Sequence, residues 1–180
     1  MLTFISKELE KGHQAYVVCP RIYEKGSDLD YWSVENVAKR YKDELPGHRL
    51  GVLHGNLKAE EKATVLENFR QGNIDLLLST TVIEVGVDVP NSTLMVICAA
   101  DRFGLSQLHQ LRGRTGRGSE QSYCILIAHS TSKSAIERLR ILEQSNDGFI
   151  IAKKDLSLRG SGERLGLAQH GVAHGDTFDD

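Results

Sequence analysis

Short runs of β-branched residues and leucine recur along the chain, and each run predicts a strand. They occupy residues 15–19, 50–53, 74–78, 93–97 and 122–128. Side chains on both alternating faces of these runs are apolar, which is typical of the central strands of a parallel sheet that helices cover on both sides. The pattern therefore predicts a buried parallel sheet.

Amphipathic helices are predicted between the apolar runs. The clearest one covers residues 58–71, where apolar side chains share one face at spacings of three and four: Ala59, Ala63, Leu66 and Phe69. Asn56 is a plausible cap for this helix and Gly72 a plausible stop. Other helices are predicted over residues 33–44, 106–112 and 132–145, and residues 1–12 resemble the end of a helix closed by Gly12.

Strands and helices thus alternate along the chain. Right-handed crossovers would fold them into a three-layer α/β sandwich with a central parallel sheet. From about residue 144 onward the chain becomes rich in glycine and polar residues. Because this part has too few apolar residues to pack a core of its own, we expect it to form an irregular tail.

Composition places these elements in one domain of ordinary size, because 180 residues with 40% apolar content can bury a single sizeable core. A net charge of −2 argues against a chain-wide basic surface, so any site for a polyanion must be local. The apolar runs are too short to span a bilayer, and no secretory signal layout is present at the N-terminus. We therefore expect a soluble cytoplasmic protein.

The three cysteines, Cys19, Cys98 and Cys124, lie far apart inside apolar runs and form no C-x-x-C pair. Buried thiols of a reducing cytosol are expected here rather than zinc ligands or disulfides. No metal site is predicted.

Several motifs that identify enzyme classes are missing from the sequence. The chain has no G-x-x-x-x-G-K-[ST] phosphate cradle, so it is not a complete NTPase. It also lacks G-x-G-x-x-G after a strand, G-x-S-x-G and H-E-x-x-H. Dinucleotide oxidoreduction, serine hydrolysis and zinc proteolysis therefore have no support.

The most informative segment is the run of residues 107–118, which carries three arginines within six residues, at Arg112, Arg114 and Arg117. The run contains no acidic residue that could neutralise them. Guanidinium groups held at a glycine-rich turn suit the spread negative charge of a transferring phosphoryl group. The alternative from composition alone is an arginine-rich loop that forms surface ion pairs.

A second run, residues 78–91, begins at the carboxyl end of a predicted strand, where the ligands of open parallel sheets gather. Thr80 and Thr81 could donate hydrogen bonds to phosphates. Asp88 could accept one from a ribose hydroxyl, or it could simply cap a turn before Pro90. The residues alone leave both interpretations of Asp88 open.

Together these runs resemble the second motor lobe of superfamily-two helicases and translocases. Two patterns of that lobe, T-x-x-x-x-x-G-x-D-x-P and Q-x-x-G-R-x-G-R, are intact at residues 80–90 and 110–117. The Leu-His-Gly element that precedes them is matched by residues 53–55. The resemblance implies a RecA-like lobe, which has the fold of P-loop NTPases without the P-loop itself.

A narrower resemblance covers nearly the whole chain up to Gly171. Residues 81–91, 107–118, 145–149 and 155–163 are similar to the RecG family of DNA branch-migration helicases. Transcription-repair coupling factors share the same motifs, but the Ser-Asn-Asp-Gly-Phe segment is more similar to RecG. Three hypotheses stay open: the second lobe of a RecG-type helicase that remodels stalled forks and Holliday junctions, the same lobe of a coupling-factor translocase, and a non-catalytic phosphate-binding α/β module.

The RecG resemblance also implies roles at a nucleotide site. ATP and Mg²⁺ would bind between this lobe and a missing N-terminal lobe that holds the Mg²⁺, so the chain alone is expected to be inactive. Arg114 and Arg117 match the arginine fingers of the family. Gln110 matches a glutamine that senses the nucleotide, and Gly86 and Asp88 match contacts on the ribose side.

Branched double-stranded DNA is the partner that the resemblance implies. Thr80 matches the threonine that touches the nucleic-acid backbone. Thr81, His54 and Gly55 are weaker candidates for the same contact. The missing lobe and a wedge domain of the same chain are implied as further partners.

Beyond the motor lobe, the resemblance implies a helical hairpin and coupling loop over residues 131–171. The positions that match its polar network are Arg138, Arg159 and Gln169. From the residues alone, Arg138 could instead belong to a solvated helix face, and Arg159 is expected in a glycine-rich loop. The implied organisation is thus the end of a linker over residues 1–12, the lobe over 13–130, the hairpin and coupling loop over 131–171, and a disordered, unmatched tail over 172–180.

Overall fold

A computed structural model describes residues 1–20, 29–80 and 89–166, with side chains up to residue 157. Five strands are present in this part of the chain: β1 Gln14–Cys19, β2 Leu50–Leu53, β3 Leu76–Thr80, β4 Ser92–Ile97 and β5 Tyr123–Leu126. Six α-helices accompany them: α1 Leu2–Glu10, α2 Val34–Glu44, α3 Ala59–Arg70, α4 Leu105–Arg112, α5 Lys133–Gln144 and α6 Gly148–Gly166. Two short 3-10 turns lie at Asp30–Trp32 and Ala100–Arg102.

The strands form one sheet in the order β2-β3-β1-β4-β5, and every pair is parallel. This arrangement confirms the predicted α/β fold with a central parallel sheet. Every residue of β1 and β4 is buried, as expected of central strands. β2 and β5 lie at the two edges and are partly exposed, so the prediction that all five runs are central was wrong for these two.

Two apolar clusters cover the two faces of the sheet. Tyr16 and Val18 of β1 point into the cluster that α3 to α6 cover. Ala15, Val17 and Cys19 point into the cluster that α1 and α2 cover. Alternate side chains of β1 thus pack into two different cores, which explains why the sequence of this strand is almost continuously apolar.

Local signals fix several of the helix ends. The Ser33 hydroxyl accepts the N–H of Asn36 at 3.3 Å and caps α2. Gly72, with a φ of +75°, ends α3 in the left-handed region where the predicted stop lies. The predicted cap at Asn56 is wrong, because α3 begins after Lys58, whose backbone N–H donates to Glu61 Oε2 at 2.7 Å.

The segment after residue 147 forms a helix rather than the irregular tail that its glycine content predicted. Asp147 Oδ1 accepts the N–H groups of Phe149 at 2.8 Å and Ile150 at 3.4 Å, which starts α6. Ile151 and Asp155 are buried against the rest of the domain. These contacts override the low helix propensity of glycine, and they place Arg159 inside α6 instead of in a loop.

The three thiols are free. Cys19 and Cys98 are fully buried, and a hydrogen bond between them together with burial raises the pKa of Cys19 well above its ordinary value. Burial also raises the pKa of the half-buried Cys124 to about 11. None of the helices in the described ranges is both long and apolar enough to cross a membrane.

A buried carboxylate ties α1 to the start of the sheet. The Glu8 side chain is only 4% exposed, and it accepts from Lys11 Nζ at 2.6 Å and lies 2.9 Å from His13 Nδ1. The hydrogen bonds from Lys11 and His13 lower the pKa of Glu8 below that of an ordinary glutamate. The ionised form is therefore favoured by the fold.

We predict that Glu8→Gln lowers the free energy of unfolding at pH 7 by about 1–2 kcal/mol, because the charged acceptor is lost from a buried site. A lowered folded-state pKa gives stability that is present above the unfolded pKa and lost as the pH falls through the folded one. The difference in the free energy of unfolding between Glu8→Gln and the wild type should therefore become smaller below about pH 4. Urea unfolding over a pH series measures it, with Glu10→Gln on the exposed side of α1 as control. A difference that does not change with pH would contradict this interpretation.

Candidate functional site

The run of arginines forms a short loop, residues 113–118, which we call the arginine loop. It continues directly from α4: the N–H of Arg114 donates to the Leu111 carbonyl at 3.0 Å. Arg117 Nε donates to the Gly113 carbonyl at 3.3 Å. Arg114 is half-buried and Arg117 is exposed, in a turn that the end of the helix supports.

Two glycines allow the arginine loop to sit tightly against its neighbours. Gly116 has a φ of +77°, and a Cβ there would clash with the Ser122 hydroxyl. A Cβ on Gly118 would lie 2.9 Å from the carbonyl oxygen of Pro90. Only glycine fits such approaches. The second contact places the arginine loop beside the end of the 78–91 run, so the fold brings together the two runs that stand out in the sequence.

Arg112, the last residue of α4, has partners that sequence analysis missed. Its Nη1 donates to the carbonyls of Leu142 at 2.6 Å and Ser145 at 3.0 Å, and its Nη2 lies 2.9 Å from His109 Nδ1. The arginine therefore joins α4 to the end of α5. The pattern of arginines alone could not separate it from Arg114, because these acceptors lie about thirty residues further along the chain.

Gln110 is exposed on α4 and borders a recess of about 640 Å³. Thr115, Gln121 and Asn146 also line this recess. Its wall therefore presents amide and hydroxyl groups that can exchange hydrogen bonds with a polar ligand, beside apolar surface from Tyr123 and Cys124.

Three candidate nucleic-acid contacts meet at the carboxyl edge of the sheet. Thr80 ends β3 opposite Cys19, and His54 and Gly55 follow the end of the neighbouring strand β2. The Gly55 carbonyl accepts from Lys62 Nζ at 2.9 Å, which places a cation at this edge. Within the described ranges, the buried Nδ1 of His54 has no hydrogen-bond partner.

Arg138 does not lie on a solvated face. It is half-buried and donates through Nη2 to the backbone carbonyl of Asp101. The Asp101 carboxylate in turn accepts the N–H groups of His129 at 2.5 Å and Ser130 at 3.3 Å. Arg138 thereby links α5 to the segment after β4 and to the end of β5, and Asp101 is a second member of this network that the sequence did not reveal.

Other predicted site residues are not placed by the structure. Thr81, Gly86, Asp88 and Gln169 lie outside the described residues. Arg159 is placed only through its backbone in α6.

We predict that Gly116→Ala lowers the free energy of unfolding by about 1–3 kcal/mol and displaces the arginine loop, because alanine at this φ is strained and its methyl group meets Ser122. Gly113→Ala is the matched control, since Gly113 has a φ of −69° and a Cβ there would meet nothing closer than 3.5 Å. Thermal unfolding and amide NMR shifts of Arg114 and Arg117 measure the effect. Equal behaviour of the two variants would show that the left-handed turn is not needed.

Comparison with known proteins identifies the family of the chain. A profile of the helicase conserved C-terminal domain matches residues 1–119. ATP-dependent DNA helicase RecG of Bacillus subtilis is 49% identical over 173 residues, which are 96% of this chain and 25% of that protein. RecG of a Synechocystis species is 51% identical, over 96% of this chain and 21% of that protein. The chain thus spans about a quarter of the length of these curated relatives.

The chain is also similar to RecG among proteins of known structure. RecG bound to a three-way DNA junction superposes with a TM-score of 0.74 and 43% identity, over 96% of this chain and 22% of that one. The C-terminal domain of the DEAD-box protein Dbp5 superposes with a TM-score of 0.56 and 18% identity, over 84% of this chain and 89% of that one. The similarity to the Dbp5 domain shows a shared fold and nothing more.

Proposed function

Since the chain belongs to the helicase conserved C-terminal domain family, we propose that it is the second motor lobe of a RecG-type, ATP-dependent helicase that remodels branched double-stranded DNA in recombination and repair. The observation that carries the proposal is the extent of the similarity. The family domain ends at residue 119, whereas the similarity to RecG covers 96% of the chain and continues through α5 and α6. This is why we propose the RecG type rather than a helicase lobe of unspecified kind.

In this proposal, ATP binds against the arginine loop and is hydrolysed between this lobe and a second lobe outside the chain. The second lobe supplies the phosphate cradle and holds Mg²⁺, so the 180 residues alone do not hydrolyse ATP. Arg114 and Arg117 act as arginine fingers that stabilise the charge of the transferring phosphoryl group, an effect worth about 10³ to 10⁵ in kcat. Gln110 contacts the nucleotide from α4, and Gly86 and Asp88 do so from the ribose side.

The geometry of the arginine loop supports this role. Gly116 and Gly118 let the loop backbone approach Ser122 and Pro90 closely, so the backbone that carries both guanidinium donors is tightly packed. Fixed donors of this kind contribute more in the transition state than in the ground state.

DNA binds, in this proposal, at the carboxyl edge of the sheet. Thr80 contacts the phosphate backbone, with Thr81, His54 and Gly55 as neighbouring contacts. The exposed Gly55 and the Lys62 ammonium beside it give this part of the edge an accessible backbone and a cation. A chain with a net charge of −2 needs local donors and cations to hold a polyanion.

The hairpin of α5 and α6 transmits lobe movement to the duplex through Arg138, Arg159 and Gln169. The contact of Arg138 with Asp101 supports this assignment, because it joins the hairpin to the motor lobe through a polar network. The wedge domain that splits a fork belongs to the remainder of the full-length protein.

We predict that Arg114→Ala or Arg117→Ala in the full-length protein lowers kcat for ATP hydrolysis by about 10³-fold or more, while folding and DNA affinity stay close to those of the wild type. The charge that these arginines stabilise exists mainly in the transition state. Steady-state ATPase assays with branched DNA measure the loss. Arg70→Ala, which removes an exposed arginine paired within α3, is the control for lost charge.

Two results would contradict this assignment. One is unfolding of either variant under conditions in which Arg70→Ala stays folded. The other is loss of DNA binding while ATP turnover remains normal. Either result would indicate a structural or DNA-binding role for the arginine loop.

A separate prediction distinguishes coupling from catalysis. Arg159→Ala or Gln169→Ala in the full-length protein should keep DNA-stimulated ATPase within several-fold of the wild type but abolish fork unwinding, since lobe closure no longer reaches the element that grips DNA. Parallel ATPase and branched-DNA unwinding assays measure both activities, with Lys153→Ala, an exposed cation of α6, as control. Equal loss of both activities would place these residues in catalysis or DNA binding.

A further inference from the structure

We propose that Arg112 is a positioning residue that sets the arginine loop and links it to the junction between α5 and α6. This inference rests on the proposed function, because it concerns how the arginine fingers are held. Arg112 itself contacts no nucleotide in the proposal. It acts through its neighbours, Arg114 and Arg117.

The Arg112 side chain binds the end of α5. The carbonyls of Leu142 and Ser145 lie at the C-terminal end of α5, where helix carbonyls lack partners within the helix and carry partial negative charge. The last turn of α5 contains no basic residue of its own. Arg112 therefore supplies, from another helix, the cation that this helix end lacks.

The same contact reaches the start of α6. Arg112 Nη2 donates to His109 Nδ1, because a guanidinium has only donors. The Nε2 edge of the His109 ring lies close to Gly148, where a Cβ would come within 2.8 Å of Nε2. The α5–α6 junction thus meets α4 at two points, by hydrogen bonding of Ser145 to Arg112 and by close approach of Gly148 to His109.

The arginine loop starts from the backbone of Arg112. Its carbonyl accepts the Thr115 hydroxyl at 3.2 Å and the Thr115 N–H at 3.4 Å. The first turn of the arginine loop is therefore built on the residue whose side chain is fixed to α5. A shift of the α5–α6 junction relative to α4 would move this turn, and Arg114 with it.

The chemistry of the contact requires arginine. One guanidinium nitrogen reaches two carbonyls while the other reaches a histidine ring, which uses the planar, forked arrangement of donors. A lysine ammonium is a single point of charge and cannot span the three acceptors. Arg112→Lys should therefore restore only part of the function lost in Arg112→Ala.

We expect Arg112→Ala in the full-length protein to lower kcat for ATP hydrolysis by up to about 10²-fold, as displacement of a catalytic group by an ångström can do, with KM for ATP and DNA affinity unchanged. Arg140→Ala, which removes an exposed arginine of α5, should leave kcat unchanged. The decisive comparison is with Arg114→Ala. If Arg112 acts through Arg114, the double variant should lose little more than Arg114→Ala alone.

Hydrogen exchange provides a readout that does not depend on activity. Peptides over the arginine loop and over residues 142–148 should exchange faster in Arg112→Ala than in Arg140→Ala, since both ends of the contact are released. Wild-type exchange in both peptides would overturn the inference. Losses of kcat that multiply in the double variant would also overturn it, because they would show that Arg112 acts independently of Arg114.

The two proposals fail in different ways. If the wild-type full-length protein does not hydrolyse ATP with branched DNA, the proposed function is wrong, whatever Arg112 does. If it hydrolyses ATP and Arg112→Ala retains wild-type kcat, the proposed function stands and the positioning role is wrong.

Discussion

Parallel pairing of β1 with both β3 and β4 is the constraint on which the rest of the structure depends. Each residue of β1 is buried, and its alternate side chains fill two different cores. Because neighbouring strands run in one direction, the chain must return across the sheet after each strand, and the carboxyl ends of all five strands meet at one edge. That edge gathers His54, Gly55 and Thr80 from strands that are distant in sequence.

The arginine loop depends instead on close approach of its backbone to neighbouring segments. Two glycines bring it against Ser122 and Pro90, and the carbonyl of Arg112 supports its first turn. The loop is thus closely packed at both glycines and hydrogen-bonded at its first turn, which suits groups that must act without large rearrangement. The helical hairpin meets the same end of α4, since Arg112 donates to the end of α5 and His109 lies close to Gly148.

Periodicity in the sequence was sufficient to predict the strands, most of the helices and the fold class. It could not tell edge strands from central ones, because β2 and β5 are nearly as apolar as β1 and their exposure depends on where they lie in the sheet. Glycine content misled the prediction for α6, where tertiary contacts at Ile151 and Asp155 outweigh propensity. The local sequence pattern was sufficient to identify the arginine loop. The role of Arg112 depends on carbonyls at the end of another helix, so it could not be predicted before the fold was known.

The order of the strands has a consequence for biosynthesis. Of the strands described in this lobe, β1 is made first, yet its two partners, β3 and β4, lie about 60 and about 80 residues further along the chain. At about 5–20 residues per second, this apolar segment waits on the order of 4–16 s before it can be buried on both sides. During that time it is an unpaired segment of high β-propensity. Chaperones that bind nascent chains should therefore bind this lobe most strongly at its β1 segment.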